Sequence, residues 1–380
     1  MWVSECTKAY SRGRFVLLEG WFAIGGIVIA TWIEFGMFYV TNSSVNWRFP
    51  IAFQSIFAII ILTFVPFLPE SPRWLVKKDR IAEAGDALGK LDDLPTDSEV
   101  VTAELGLIQE GLQAEMDISS ASPFSNGVTR NLNRTALAIL INLLAQMSGV
   151  NIITFYSTTI FQEEGYSPTI ARVISGCLQI WQFVAAGLAV LAIDRFGRRK
   201  LLLAAAIGMM ISQAGLAGLT YSTVDLKNKA AAGASLLFYF GALFWFPVGL
   251  FLVPFIYAAE IAPLRSRSKV TAMSASVNWL FNFLIAEVTP IGFNTIGYKY
   301  YIIYACINAF TVAIVYFFFP ETKGRTLEEI DEIFIQSNNV FDPVKMAKIL
   351  PMGVALTTGN LKDIELEKAG IQNIENVDEI

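Results

Sequence analysis

The sequence predicts an all-α protein that crosses a membrane many times. Three observations predict it. Hydrophobic residues make up 54% of the 380 and charged residues only 16%, more apolar surface than a soluble chain can bury. The charges gather in loops and in the tail, leaving eight long stretches nearly free of them. One membrane-edge pattern also occurs twice. Glu5 is followed by Arg12, two apolar stretches and Pro69-Glu70-Ser71; Glu260 is followed by Arg267, two apolar stretches and Pro320-Glu321-Thr322. The offsets are 255 and 251 residues, so the pattern reads as a duplication. Four apolar stretches precede Glu260 and only four residues precede Glu5. The expectation is a duplicated membrane protein whose first half lacks about four opening helices.

A helix crossing the hydrocarbon needs ~20 mostly apolar residues. Stretches 15–38, 51–68, 136–161, 172–193, 201–221, 232–259, 270–293 and 301–319 qualify. Each is expected to be helical, because lipid offers backbone groups no partner. Basic residues set the orientation. Lys8, Arg12 and Arg14 precede the first stretch, Arg73 to Arg134 fill the long loop, and Arg195 to Lys200 and Arg265 to Lys269 fill two short ones. Intervening loops hold only Arg48, Lys227, Lys229 and Lys299. The basic-rich side is therefore expected to be cytoplasmic, with both termini on it.

Within loop 69–134, segments 75–91 and 99–116 place apolar residues at helical spacing among charges, which predicts amphipathic helices. Residues 119–133 are rich in Ser, Asn and Pro and read as linker. An acidic helix is expected over 327–336, and disorder from about residue 350, where the composition turns polar and charged. Four units follow: 1–68, 69–134, 135–319 and a tail, 320–380.

Composition also excludes chemistries. With no His and three scattered cysteines, neither a disulfide framework nor a metal site is indicated, and His-based catalysis is ruled out. No nucleophile–base spacing supports an enzyme. The basic residues are dispersed along loop edges, which does not suggest a nucleic-acid partner. No cofactor is implied, and no secretory leader is read at Met1.

Two groups of residues carry the functional reading. The first is charged. Asp194-Arg195-Phe196-Gly197-Arg198-Arg199 joins two apolar stretches, with Gly197 for a tight loop. With Glu5, Arg12, Glu70, Glu260, Arg267 and Glu321 it predicts a network that ties helix ends together in one conformation and breaks in another. Plain positive-inside anchoring explains the arginines alone; the repeated Glu-x6-Arg spacing argues for the network. The second group is amidic. Gln146 and Asn151 lie in one apolar stretch, Gln179 and Gln182 share a face at i,i+3, and Asn278 and Asn282 share one at i,i+4. Amides offer donors and an acceptor to hydroxyls, yet they also bond one another between membrane helices. The residues alone leave both readings open.

Taken in order, Pro69-Glu70-Ser71-Pro72-Arg73-Trp74, Gln146-Met147-Ser148-Gly149-Val150-Asn151, Asp194 to Arg199, Asn278-Trp279 with Asn282-Phe283, and Pro320-Glu321-Thr322-Lys323-Gly324 resemble the signatures of the sugar porter family of the major facilitator superfamily. The resemblance, fungal in style, runs from residue 5 to about 330. It implies two six-helix bundles with a solute held between them near the midplane, the stretches here being helices five to twelve. By the same resemblance, Gln146, Asn151 and Asn282 match sugar-contacting positions, Gln182 a weaker one, and Asn278 lies beside them. It also implies a sugar or polyol as partner, a lipid bilayer as solvent, protons as a candidate coupling ion and the plasma membrane as residence.

The sequence departs from the pattern in places. Ala145 stands where relatives carry a first glutamine, Phe255 where a Trp is usual, and Gly20, beside Glu19, where a glutamine is usual. Phe255 can stack on a sugar but donates nothing. Glu19, an acid within a span, is a candidate to bond solute or carry a proton; Glu287 is expected near the outer interface. Pro247 and Pro254 predict a kinked helix, which in relatives acts as a gate. Two further readings stay open: a sugar sensor on the same scaffold, and a truncated carrier that transports poorly alone.

Overall fold

The structure, a computed structural model, describes residues 12–350 apart from 42, 118–122, 126, 128, 264, 265 and 326. Among them α-helix dominates. Two long helices come first, α1 (Arg12–Met37) and α2 (Val45–Phe64). Three short ones follow, α3 (Pro72–Lys77), α4 (Ile81–Asp92) and α5 (Glu99–Asp117). The rest form a bundle, α6 (Asn131–Gln146), α7 (Val150–Glu163), α8 (Pro168–Phe196), α9 (Arg198–Thr220), α10 (Lys229–Trp245), α11 (Val253–Ile261), α12 (Arg267–Ile296) and α13 (Lys299–Phe318), ending in the short α14 (Leu327–Ile335) and α15 (Asp342–Ile349).

The starts of several helices follow from local chemistry. Ser71 and Ser167 cap α3 and α8, each accepting a backbone N–H three residues on, with proline next in sequence. Asn228 caps α10 by accepting from the Ala230 N–H. Among the described residues, seven helical stretches are long and apolar enough to cross a membrane. The eighth expected, α12, has 30 residues but is not among them; Ser274, Asn278, Asn282 and Glu287 lie along it.

The structure departs from the sequence reading in several places. Stretch 136–161 is two helices, broken at Met147 to Gly149, where Gly149 takes φ +88°. Stretch 232–259 is α10, a π-turn at Phe246–Phe251 and α11; Pro247 and Pro254 each lack an N–H to donate. Among its described residues the long loop holds three helices rather than two. The helix α15 was not foreseen, because the polar composition after residue 336 hid it. Residues beyond 350, where disorder was expected, lie outside the described residues.

The core runs through α6 to α13, with Ile141, Ile152, Phe161, Leu202, Tyr239 and Phe319 among its fully enclosed side chains. Helix α1 packs along α8 and α2 along α1. No side chain of α2 is buried. Leu75, Ala84 and Ala87 form a small separate cluster between α3 and α4.

Candidate functional site

The amides foreseen in the sequence converge where the bundle is broken. Gln146 is the last residue of α6, and Asn151 is the second residue of α7, just past the break. A β-carbon on Gly149 would sit 2.6 Å from Gln213 Nε2 and 2.9 Å from the Tyr304 ring, so both the positive φ and the space demand glycine. The turn brings the two amides face to face: Asn151 Nδ2 donates to Gln146 Oε1 at 2.5 Å. From α12, Asn278 Oδ1 accepts from Gln146 Nε2 at 2.9 Å, and Asn282 Nδ2 approaches Gln146 Oε1 at 3.4 Å. Four residues from three helices thus form one connected patch. Asn151 and Asn278 are buried, Gln146 and Asn282 half-buried.

The patch continues inward through residues the sequence reading passed over. Asn142, one turn before Gln146, donates to Ser274 Oγ at 2.7 Å and to the Pro254 carbonyl at 3.3 Å. Its own carbonyl accepts from Asn278 Nδ2 at 3.4 Å. The i,i+4 spacing of Asn142 and Gln146 was the available signal. These contacts tie α6 to α11 and α12 beside the π-turn.

Other expected members lie apart from the patch. Gln182 is buried on α8, and its Oε1 has no protein partner. Phe255 is half-exposed on α11, and Glu19 is exposed on α1; neither bonds to the amides. Tyr156, considered as a stacking ring, donates its hydroxyl to the Ala286 carbonyl at 2.7 Å and so fastens α7 to α12.

The charged group assembles at the basic-rich end of the bundle. Arg198 Nε donates to Glu260 Oε1 at 3.0 Å, and a second guanidinium nitrogen lies 2.8 Å from the same oxygen. Thr322 Oγ1 donates to Glu260 Oε2 at 2.6 Å. Glu321 accepts the backbone N–H groups of Arg198 at 2.9 Å and Arg199 at 3.2 Å, a carboxylate docked on the N-terminus of α9. Gly197, at φ +87°, leaves room for it: a β-carbon there would lie 2.7 Å from Glu321 Oε2. These bonds join α9, α11 and the segment after α13.

The other members of the expected network stand differently. Arg267 opens α12 and Glu70 is exposed just before α3. Asp194 lies in the last turn of α8 and Arg12 begins α1; their side chains, like all of Glu5, lie outside the described residues.

Two polar anchors escaped the sequence reading. Arg134, 1% exposed, donates to the Ile261 carbonyl at 2.6 Å and pairs with Asp331 of α14 at 2.5 Å. Its guanidinium also lies over the Phe334 ring. At the opposite end, the Glu164 carboxylate accepts from Tyr239 at 2.8 Å and Ser235 at 3.0 Å. Burial pushes its carboxyl above the ordinary range, against the pull of those two hydroxyls. Among the described residues no group of His, Cys, Asp and Glu could hold a metal.

The arrangement can present several amides to one neutral, hydroxylated solute, beside two interrupted helices. The chain also resembles known proteins. Residues 1–334 match the model of the family described as "Sugar (and other) transporter". "Sugar transporter STL1" of Saccharomyces cerevisiae is 36% identical over 92% of this chain and 62% of its own length. The MFS-type transporter oryC of Aspergillus oryzae is 34% identical over 88% of this chain and 63% of its own. The chain thus spans about three fifths of the curated relatives it matches. Among solved structures, the proton:xylose symporter XylE bound to 6-bromo-6-deoxy-D-glucose superposes with a TM-score of 0.71 at 22% identity, over 87% of this chain and 69% of that one. A partially occluded inward-open form of XylE from E. coli gives 0.68 at 21%, over 85% and 67%. The fold is that of the major facilitator superfamily.

Proposed function

This chain belongs to the sugar (and other) transporter family, and from that premise we propose that it carries a sugar or polyol by alternating access. It is an integral, multi-pass membrane protein. The observation that carries the proposal is the amide patch of Gln146, Asn151, Asn278 and Asn282. Four amides from three helices meet at a helix break, rather than pointing separately into lipid. Irregular backbone at membrane depth is tolerated where it lines a cavity. The amides bond one another in this structure, so a solute's hydroxyls would take over some of those bonds.

In this reading the units 1–68, 69–134, 135–319 and 320–380 are a helix pair, a helical linker, the solute-binding bundle and a tail. The basic-rich end faces the cytoplasm of a plasma-membrane protein, both termini included. The Arg198–Glu260–Glu321 network holds that end in one state. Protons are the coupling ion to test, as XylE is a proton:xylose symporter.

The test is solute binding and counterflow by the purified chain in liposomes. Binding of a hexose or hexitol should be measurable and should weaken about three- to tenfold in Q146A, the worth of one ordinary hydrogen bond. Binding without counterflow would point to a sensor instead. No binding of any polyhydroxylated solute would sink the proposal.

A further inference from the structure

A second set of polar groups sits on α8 where it meets α1. The two helices run antiparallel. Trp21 stacks on Phe183 with ring centroids 4.8 Å apart and donates its indole N–H to the Phe183 carbonyl at 3.0 Å. Eleven residues further along α1, Trp32 lies against Gly176, where a β-carbon would come within 3.0 Å of its ring. Gly187 gives Trp21 the same room at 3.4 Å. Between these two contacts stand Gln179 and Gln182, 2% and 3% exposed. Neither Oε1 has a hydrogen-bond partner, and neither does the buried indole N–H of Trp32. On the α1 side of this stretch stand Ile24, fully enclosed, and Gly25, which offer no side-chain donor.

Position on the helix says where these amides stand. At about 3.6 residues per turn, Gly176, Phe183 and Gly187 form the stripe facing α1. Ser175, which contacts Thr158 Oγ1 at 3.2 Å, faces α7. Gln179 falls between the two stripes, over the groove that α1 and α7 leave along α8, and Gln182 lies about 20° beyond Ser175, on the side facing α7. A short turn joins α7 to α8, so they too run antiparallel. The Thr158–Ser175 contact sets Gln182 level with Asn151, and Gln179 about one turn further from the basic-rich end.

Two buried acceptors and one buried donor without partners call for an explanation, since each such group is costly to leave unmade. A bare cation would suit the two carbonyls but not the indole N–H. A hydroxylated solute suits all three, because each hydroxyl both donates and accepts. We propose that Gln179, with Gln182 and the Trp32 indole N–H, forms a second hydroxyl-binding subsite across the groove from the Gln146 patch, and that Gln179 determines which hydroxyl pattern is accepted. This rests on the carrier reading above. Gln182 was foreseen as a site residue; Gln179 and Trp32 were not assigned to it.

The test is calorimetric titration of the purified 380-residue chain with D-glucose, its monodeoxy analogues and D-sorbitol, together with thermal melting without solute. The expected result for Q179L is about three- to tenfold weaker binding of the preferred solute. One deoxy analogue should lose nothing further in Q179L, since its missing hydroxyl is the one Gln179 holds. The solute-free melting temperature should stay level or rise, because an unpartnered buried amide is gone. W32F, which keeps the ring and removes the N–H, should relax selectivity at a hydroxyl too, and it carries the test if Q179L does not fold. Unchanged affinities for every solute in both variants would overturn the subsite and leave the carbonyls facing water. If the unmodified chain binds none of the probes, the carrier reading fails first and the subsite with it.

Discussion

Single residues fix the geometry of this molecule at a few points. Gly149 is one, since the amide patch exists only because the chain turns there with positive φ. We expect G149A to cost about 1–3 kcal/mol, read as a lower melting temperature, and to weaken solute binding with it. Glu164 is another. Its carboxyl is raised above the ordinary range by burial, so the folded chain holds that proton more tightly than the unfolded chain does. The stability this contributes is present at low pH and is lost as pH rises from the usual carboxylate value, about 4.3, through the raised one. The melting temperature should fall across that window. E164Q should flatten the fall, and an unchanged slope would show that Glu164 is not its source. The groups facing Glu164 are Tyr239, Ser235, Tyr166 and Glu163, and Tyr301 bonds Tyr239 behind them.

Elements divide into those the sequence shows and those it hides. Apolar length exposed every long helix, because lipid leaves no other way to satisfy a backbone. The breaks were harder. Gly149 sits in an apolar run that reads as one span, and the side chains that leave it no room for a β-carbon, Gln213 and Tyr304, lie far along the chain. Asn278 and Asn282 were legible as a pair because i,i+4 spacing is local, and Gln146 and Asn151 stood out as amides in an apolar stretch. Asn142 was legible by the same rule and passed over. The partners of Arg134 were not legible, since 197 residues separate it from Asp331 and only the fold brings them together. That anchor gives α14 its seat. We expect R134A to cost of order 3 kcal/mol, the effect of removing one side of a buried pair. D331A should cost less, because Asp331 is 37% exposed. Limited proteolysis of the tail should follow the same order, R134A being cut fastest. Equal cutting in both variants would argue that α14 is held by its apolar face alone.

At the scale of the whole molecule, packing is uneven. The bundle from α6 to α13 encloses its side chains as a soluble core does, whereas α2 buries none. Removing side-chain volume should therefore register in one place and not the other. I141A, at a position with no exposure, should cost about 2–5 kcal/mol. I60A, on the open face of α2, should change the melting temperature in a bilayer by far less, within about 0.5 kcal/mol. A large effect of I60A would reveal a protein surface, rather than lipid, covering α2.

The two interrupted rods, α6 with α7 and α10 with α11, are each fastened at the end that carries the arginines: one by Arg134, the other through Glu260. A jointed rod does not relay a push along its full length. The far portions carry their own ties, Tyr156 to α12 and Glu164 to α10, so each side of a break is held independently of the other. On the carrier reading proposed above, one door closes before the bolt on the other is released.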